Sequence, residues 1–175
     1  MFKQTLIVIL NLIFLFFHLY ADTNEKGIYT GLPIPRYVSL KSNLVKLRIG
    51  PGIRYQTSYI YNCIHYPVQI IAEFNNWRKV RDVSNIQGWI HQSLLSGSRY
   101  IIISSNKILL QKHLVNKLND YQSLIFKASN EISDPILKIE YGVLAKLIKC
   151  KEQWCKITIR HYNGWIRKVN IWGAE

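Results

Sequence analysis

An internal repeat restricts this chain's fold more than any other feature. Tyr66-Pro67-Val68 leads to Trp77-Arg78-Lys79-Val80 and then to Gly88-Trp89-Ile90. Starting 75 residues later, Tyr141-Gly142-Val143 leads to Trp154-Cys155-Lys156-Ile157 and then to Gly164-Trp165-Ile166. The same landmarks in the same order mark two copies of one unit. Units of about 60 residues can bury little core alone, so the two are expected to pack on one another.

The periodicity within each copy is that of strands. Val68, Ile70, Ala72 and Phe74 alternate with Gln69, Ile71 and Glu73, a period of two. Asn75-Asn76 then supplies a tight turn, and Trp77 to Val83 returns. In the second copy Val143 to Lys149 runs to a turn at Lys151-Glu152-Gln153, Trp154 to Arg160 returns, and Asn163-Gly164 makes the next turn. Helical spacing occurs only in Ile108 to Leu118, which reads as strand and loop. The fold class is therefore all-β, with Trp77 and Trp154 expected to cover the two cores.

The first residues have a different character. Met1-Phe2-Lys3 is a short basic start, Thr5 to Phe17 is apolar apart from Asn11, and Ala21 precedes the polar Asp22-Thr23-Asn24-Glu25-Lys26. This order predicts a secretory signal peptide over 1–21, cut after Ala21. The alternative is an uncleaved anchor, but a spanning helix needs about 20 apolar residues. Membrane contact is expected only through an uncleaved leader. Removing the leader lowers the net charge from +13 to +12. Such a balance either favours anionic partners or reflects the chain's general richness in Lys, Ile, Asn and Tyr. Pro33 and Pro35 favour an extended segment over 22–36, either a strap across a small barrel or a linker.

The residues offer little chemistry for catalysis. Cys63, Cys150 and Cys155 leave at most one bridge and one free thiol. Cys63-Ile64-His65 is neither a zinc motif nor by itself a Cys–His arrangement for nucleophilic catalysis. The ten acids are scattered, with no carboxylate pair for glycoside hydrolysis. Gly50-Pro51-Gly52 makes a compact turn after a strand, but no Lys-Ser/Thr or helix follows it as a phosphate loop requires. No catalytic residue, metal or cofactor is implied. Cys150 and Cys155 are expected on opposite arms of the second hairpin. Directly opposed α-carbons can approach to about 4.5 Å there, within reach of a disulfide.

Val45-Lys46-Leu47-Arg48-Ile49-Gly50-Pro51-Gly52, followed by Trp77, Gly88-Trp89-Ile90 and Leu94, resembles a bacterial SH3 (SH3b) domain. Gly31-Leu32-Pro33-Ile34-Pro35-Arg36-Tyr37-Val38-Ser39-Leu40-Lys41, the stretch Ile71 to Asp82, and Trp89 to Gly97 resemble more specifically a family of exported bacterial proteins. That family pairs two SH3-like domains and is defined by sequence rather than by activity. Its second half carries a Cys–Trp–Cys hairpin and a closing Trp-Gly, as do Cys150, Trp154, Cys155 and Trp172-Gly173 here. The resemblance implies two tandem small SH3-like β-barrels after a signal peptide, over 37–103 and 104–175. This chain departs from the pattern at Lys46, where the family has Asn. It also lacks Gly-Pro-Gly in the second copy, where Leu110-Gln111-Lys112-His113 is expected to begin that loop.

These readings converge on a binding module rather than an enzyme. The candidate groove residues are Arg48, Arg54, Tyr59, Tyr61 and Trp89. Tyr59 and Tyr61 share one side of an extended segment. With the two arginines they either stack on a peptide or sugar and pair with its carboxylate, or they cover the core. Trp89 either borders the groove or packs inward. The expected partner is peptidoglycan or an envelope protein or peptide. The alternative is an assembly factor that holds anionic surfaces through its basic faces. Export argues against nucleic acid, although charge and aromatics permit it. N-terminal sequencing of protein recovered from the periplasm should begin near Asp22; an intact Met1 in the membrane fraction would contradict the leader.

Overall fold

The computed structural model describes residues 25–104 and 122–174. The leader, the Ile108 to Leu118 stretch and Leu110-Gln111-Lys112-His113 lie outside the described residues. A two-stranded piece, β1 (Glu25–Lys26) and β2 (Pro33–Ile34), comes first. The first sheet contains β3 (Arg36–Leu40), β4 (Leu44–Arg48), β5 (Thr57–Asn62), β6 (Pro67–Phe74), β7 (Trp77–Arg81), β8 (Gln87–His91) and β9 (Leu95–Ser96). The second contains β10 (Tyr100–Ile103), β11 (Gln122–Phe126), β12 (Pro135–Glu140), β13 (Leu144–Lys151), β14 (Trp154–Ile159), β15 (Tyr162–Arg167) and β16 (Ile171–Trp172). Among the described residues no helix is long and apolar enough to cross a membrane.

The repeat reappears as topology. The first sheet runs β5-β4-β8-β7-β6-β3-β9 and the second β12-β11-β15-β14-β13-β10-β16, one order used twice. Among the described residues each sheet ends on two unpaired edge strands, so neither is closed into a barrel by a continuous ladder. Because β10 pairs with β13 and β16, Tyr100 to Ile103 belong to the second sheet, not to the first as a boundary at 103 had it. The turn after β14 is Arg160-His161, since Ile159 faces Tyr162; Asn163-Gly164 lies inside β15.

Gly88 and Gly164 sit within strands, where a neighbouring strand passes close. A Cβ at Gly88 would lie 2.6 Å from Leu47 Cγ, and one at Gly164 2.3 Å from Ile125 Cγ2. The glycine of each Gly-Trp-Ile therefore admits the strand that folds the sheet onto its core.

A bulge in β6 explains where simple alternation fails. The β6–β7 register slips between Ile70 and Ala72, and a one-residue slip exchanges the two faces of a strand. Val68 and Ile70 point inward as expected, but beyond the bulge Glu73 is buried and Phe74 exposed. The same slip occurs in β13 between Leu147 and Lys149. On the return strands Arg78 and Val80, and Cys155 and Ile157, face inward. Trp77 and Trp154 are thus turned out of the cores they were expected to cover.

The cores are small and aliphatic. Leu40, Val45, Leu47, Val68, Val80 and Ile90 centre the first; Ile101, Ile103, Ile125, Ile157 and Ile166 centre the second. The sheets meet over polar and aromatic contacts. His65 stacks on Tyr100 with centroids 4.2 Å apart, Tyr37 meets Trp172 edge-on at 5.0 Å, and the Tyr100 amide donates to Ser39 Oγ at 3.2 Å.

Each hairpin is tied at one cross-strand position. In the second sheet Cys150 faces Cys155, and they form a disulfide with α-carbons 4.0 Å apart. In the first sheet the equivalent pair is Glu73 and Arg78, with Arg78 Nε 3.6 Å from Glu73 Oε1. The Glu73 carboxylate also holds the segment before β3. Its Oε2 accepts from the Tyr29 and Thr30 amides at 3.2 and 3.1 Å. Its Oε1 accepts from Thr30 Oγ1 at 2.7 Å and Arg36 Nη2 at 2.8 Å. A Cβ at Gly27 would lie 2.3 Å from Glu73 Cδ, so glycine is what lets the strap approach. A buried carboxylate therefore docks this segment as a strap, and the Tyr29 ring meets Phe74 edge-on at 6.3 Å beside it.

Burial pushes the Glu73 carboxyl up, but hydrogen bonds from Thr30, Arg36 and the Tyr29 amide outweigh it and hold it below its ordinary value of 4.5. Removing one partner of a buried pair typically costs about 3–5 kcal/mol, and Glu73→Ala should fall near the lower figure in a denaturant melt. Because the folded carboxyl ionises more readily than the unfolded one, its contribution is complete above pH 4.5 and disappears as pH falls through the lower, folded value. The stability gap between the wild-type protein and Glu73→Gln should therefore narrow in acid; a gap independent of pH would contradict this.

Candidate functional site

The outward face of the first sheet carries the site. With Val45 and Leu47 in the core, alternation turns Leu44, Lys46 and Arg48 of β4 outward. On the next strands, Trp77 lies opposite His91 and Lys79 opposite Trp89, while Arg48 lies opposite Trp89. Trp77 and His91 meet edge-on with centroids 5.4 Å apart. A groove of about 230 Å³ runs between them and Leu44, Lys46, Arg48 and Ile53. Its walls are apolar or cationic and hold no carboxylate. Arg48 is braced from behind, its Nη1 donating to the Tyr55 carbonyl at 2.6 Å across the Gly-Pro-Gly loop. His91 Nδ1 lies 2.8 Å from Ser93 Oγ. The Ser93 amide donates to the same Nδ1 at 3.4 Å, and that bond caps the short 3-10 turn Gln92–Leu94.

The candidate residues separate in the structure. Arg48 lines the groove, and Trp89 is half-buried on the same face beside it. Arg54 is exposed on the loop after β4 and is not part of the groove wall. Tyr59 and Tyr61 lie opposite Leu47 and Val45, which places them on the core side of β5. Tyr61 is 4% exposed, and its hydroxyl donates to Asp82 Oδ2 at 3.1 Å. Burial, followed by the Asp82 charge, pushes the Tyr61 phenol up and raises that of Tyr66 to about 12. Asp82 Oδ1 also accepts from the Ser84 and Ile86 amides and so shapes the turn between β7 and β8. Tyr61 is thus a buried strut, while Tyr59, packed against it at 4.9 Å, is 44% exposed.

Residue-level reading missed Lys46, Ile53, Trp77 and His91 as walls of the groove. The available signal was period two. Counting back from Arg48 reaches Lys46 and Leu44, and once Trp77 faces outward its cross-strand partner must as well.

The second sheet treats the same face differently. Phe126 occupies the register position of Arg48, opposite Trp165, and packs edge-on against Trp154 at 5.5 Å. Arg167 stands where His91 does, its guanidinium 5.6 Å from the Trp154 ring centre, and it is paired with Glu131. Glu131 belongs to the 127–134 loop between β11 and β12. By register this loop, not Leu110-Gln111-Lys112-His113, is the counterpart of the Gly-Pro-Gly loop. The second groove position is therefore occupied by the protein's own side chains.

Comparison with known proteins agrees with this doubled architecture. No curated protein matches the chain. Among solved structures, NlpC2 and NlpC1 from Trichomonas vaginalis align with 79% and 83% of it at 17% and 15% identity, with TM-scores of 0.33 and 0.34. An NlpC/P60 family protein from Bacillus cereus ATCC 10987 aligns with 79% at 8% identity and a TM-score of 0.32. The chain spans 48%, 48% and 57% of those three proteins, about half their length. The bacterial SH3 domain family matches residues 41–97 and again 125–173. With these two matches covering more than half of its residues and falling on the two sheets of identical strand order, the chain belongs to the bacterial SH3 domain family.

Proposed function

We propose that this is a non-catalytic exported binding protein of the periplasm or cell envelope. Its first sheet holds an extended peptide, from peptidoglycan or from an envelope protein, in the groove that Trp77 and His91 border together with Leu44, Lys46, Arg48 and Ile53. The observation that supports this most is the contrast between the copies: the face that Phe126 and Arg167 fill in the second is open in the first. Leu44, Ile53 and Trp77 offer apolar and aromatic surface to a peptide backbone or side chain. Lys46 and Arg48 stand beside them, suited to a carboxylate. The groove wall offers cations and rings but no acid to orient a base, which favours recognition over bond cleavage.

The competing reading is an assembly factor that holds anionic envelope surfaces through its overall charge. Salt separates the two, because diffuse attraction between exposed charges is screened beyond about 8 Å at physiological ionic strength. Purified peptidoglycan should retain the protein in both low and high salt. Trp77→Ala should reduce retention in high salt about tenfold, the scale of a buried aromatic anchor, and Trp154→Ala should leave it intact. Retention by the wild-type protein that fades with salt alone would instead favour the assembly factor.

A further inference from the structure

The strap also distinguishes the two copies, in the opposite sense to the groove. In the first, residues 27–36 are held to β6 just past its bulge, where Glu73 takes the Tyr29 and Thr30 amides and Arg36. The equivalent positions in the second copy follow from register. Arg36 faces Ile70 just before the β6 bulge, and the Leu147 amide, just before the β13 bulge, donates to the Arg99 carbonyl. Arg99 therefore corresponds to Arg36, and Cys150 to Glu73. Arg99, Leu147, Ile148, Lys149 and Cys150 border a pocket of about 450 Å³, within the range of ordinary ligand sites. In the first copy the matching seat is filled by the chain itself.

The charge of the seat has also changed. The first copy places a carboxylate on the sheet, which collects the strap's amides and Arg36. In the second the carboxylate is replaced by a neutral disulfide, and Lys149 and Lys168 join Arg99 around the pocket, with Glu152 the one acid on its rim. Among the described residues neither lysine has a carboxylate within ion-pair distance. Arg99 is committed to the Gly173 carbonyl at 2.8 Å and to the Tyr37 ring, so the two lysines supply the charge open to a ligand. The bulge unpairs Ile148 and brings four consecutive residues of β13 to the border, which regular alternation would not.

We propose that this seat binds an extended acidic peptide segment of a partner. The peptide would lie where the strap lies in the first copy, with its carboxylates on Lys149 and Lys168 and apolar groups against Leu147 and Ile148. The site is separate from the groove, and each can fail without the other.

A fluorescein-labelled tetraglutamate peptide, titrated into the full chain and followed by anisotropy at about 0.15 M salt, tests this. Saturable binding is expected, and Lys149→Glu with Lys168→Glu should weaken it at least about tenfold, as loss of close charge pairs does. Lys127→Glu with Lys138→Glu changes the net charge equally at exposed positions and should weaken it less than about threefold. Should the reversal unfold the protein, Lys149→Gln with Lys168→Gln provides the same comparison at smaller amplitude. Equal weakening in the two charge-reversed proteins would overturn the site, as would no saturable binding at millimolar peptide. Lysine-dependent binding to anionic phospholipid vesicles but not to the peptide would also overturn it.

Discussion

A single cross-strand position, just past the bulge of each central hairpin, holds these two small sheets in register. Among the described residues, the first core cluster holds eight buried residues and the second nine. Units this small bury little apolar surface in their cores. A strong link at the hairpin is therefore disproportionately useful. One copy uses a buried carboxylate–guanidinium pair and the other a disulfide, at the same register position. The difference is consequential because Glu73 has acceptor capacity beyond its arginine, and that capacity draws the strap onto the first sheet. A disulfide has none, so the corresponding seat stays open.

The groove differs between the copies as well, and the two differences are complementary. Among the described residues, the first copy has its seat filled and its groove open, and the second has its groove filled by Phe126 and its seat open. The groove residues leave the core undisturbed, because alternation sends Arg48 and Phe126 to the other side of the sheet, whereas Cys155 takes the inward place of Arg78 and joins the second core. A duplicated frame has thus kept its interior and redistributed its surfaces, so that one chain presents two sites of different shape and charge.

Much of the frame was legible in the residues. The two Trp and Gly-Trp-Ile landmarks gave the repeat, and period two gave the strands. Four residues between Cys150 and Cys155 gave a hairpin that could be bridged. The bulges were not legible, because one extra residue leaves no composition signal, yet each exchanges the faces beyond it. For that reason period two alone puts Glu73 and Phe74 on the wrong faces, whereas Trp77 is turned out by plain alternation from Val80, against the expectation that a large aromatic covers a small core. Tyr61 misled for a different reason: an aromatic near arginines looks like a ligand contact until Asp82, 21 residues away, is seen to take its hydroxyl. The loop of the second copy was misplaced because, without Gly-Pro-Gly, only the pairing of β11 with β12 identifies it.

The central claim is that the equivalent faces of the two copies have different duties, and spectra of the ¹⁵N-labelled protein during titration with a soluble peptidoglycan fragment test it most directly. The account predicts shifts concentrated at Lys46, Arg48, His91 and the Trp77 indole, with the Trp154 indole and Phe126 unmoved. Equal shifts at Trp77 and Trp154, or shifts confined to the second sheet, would contradict it.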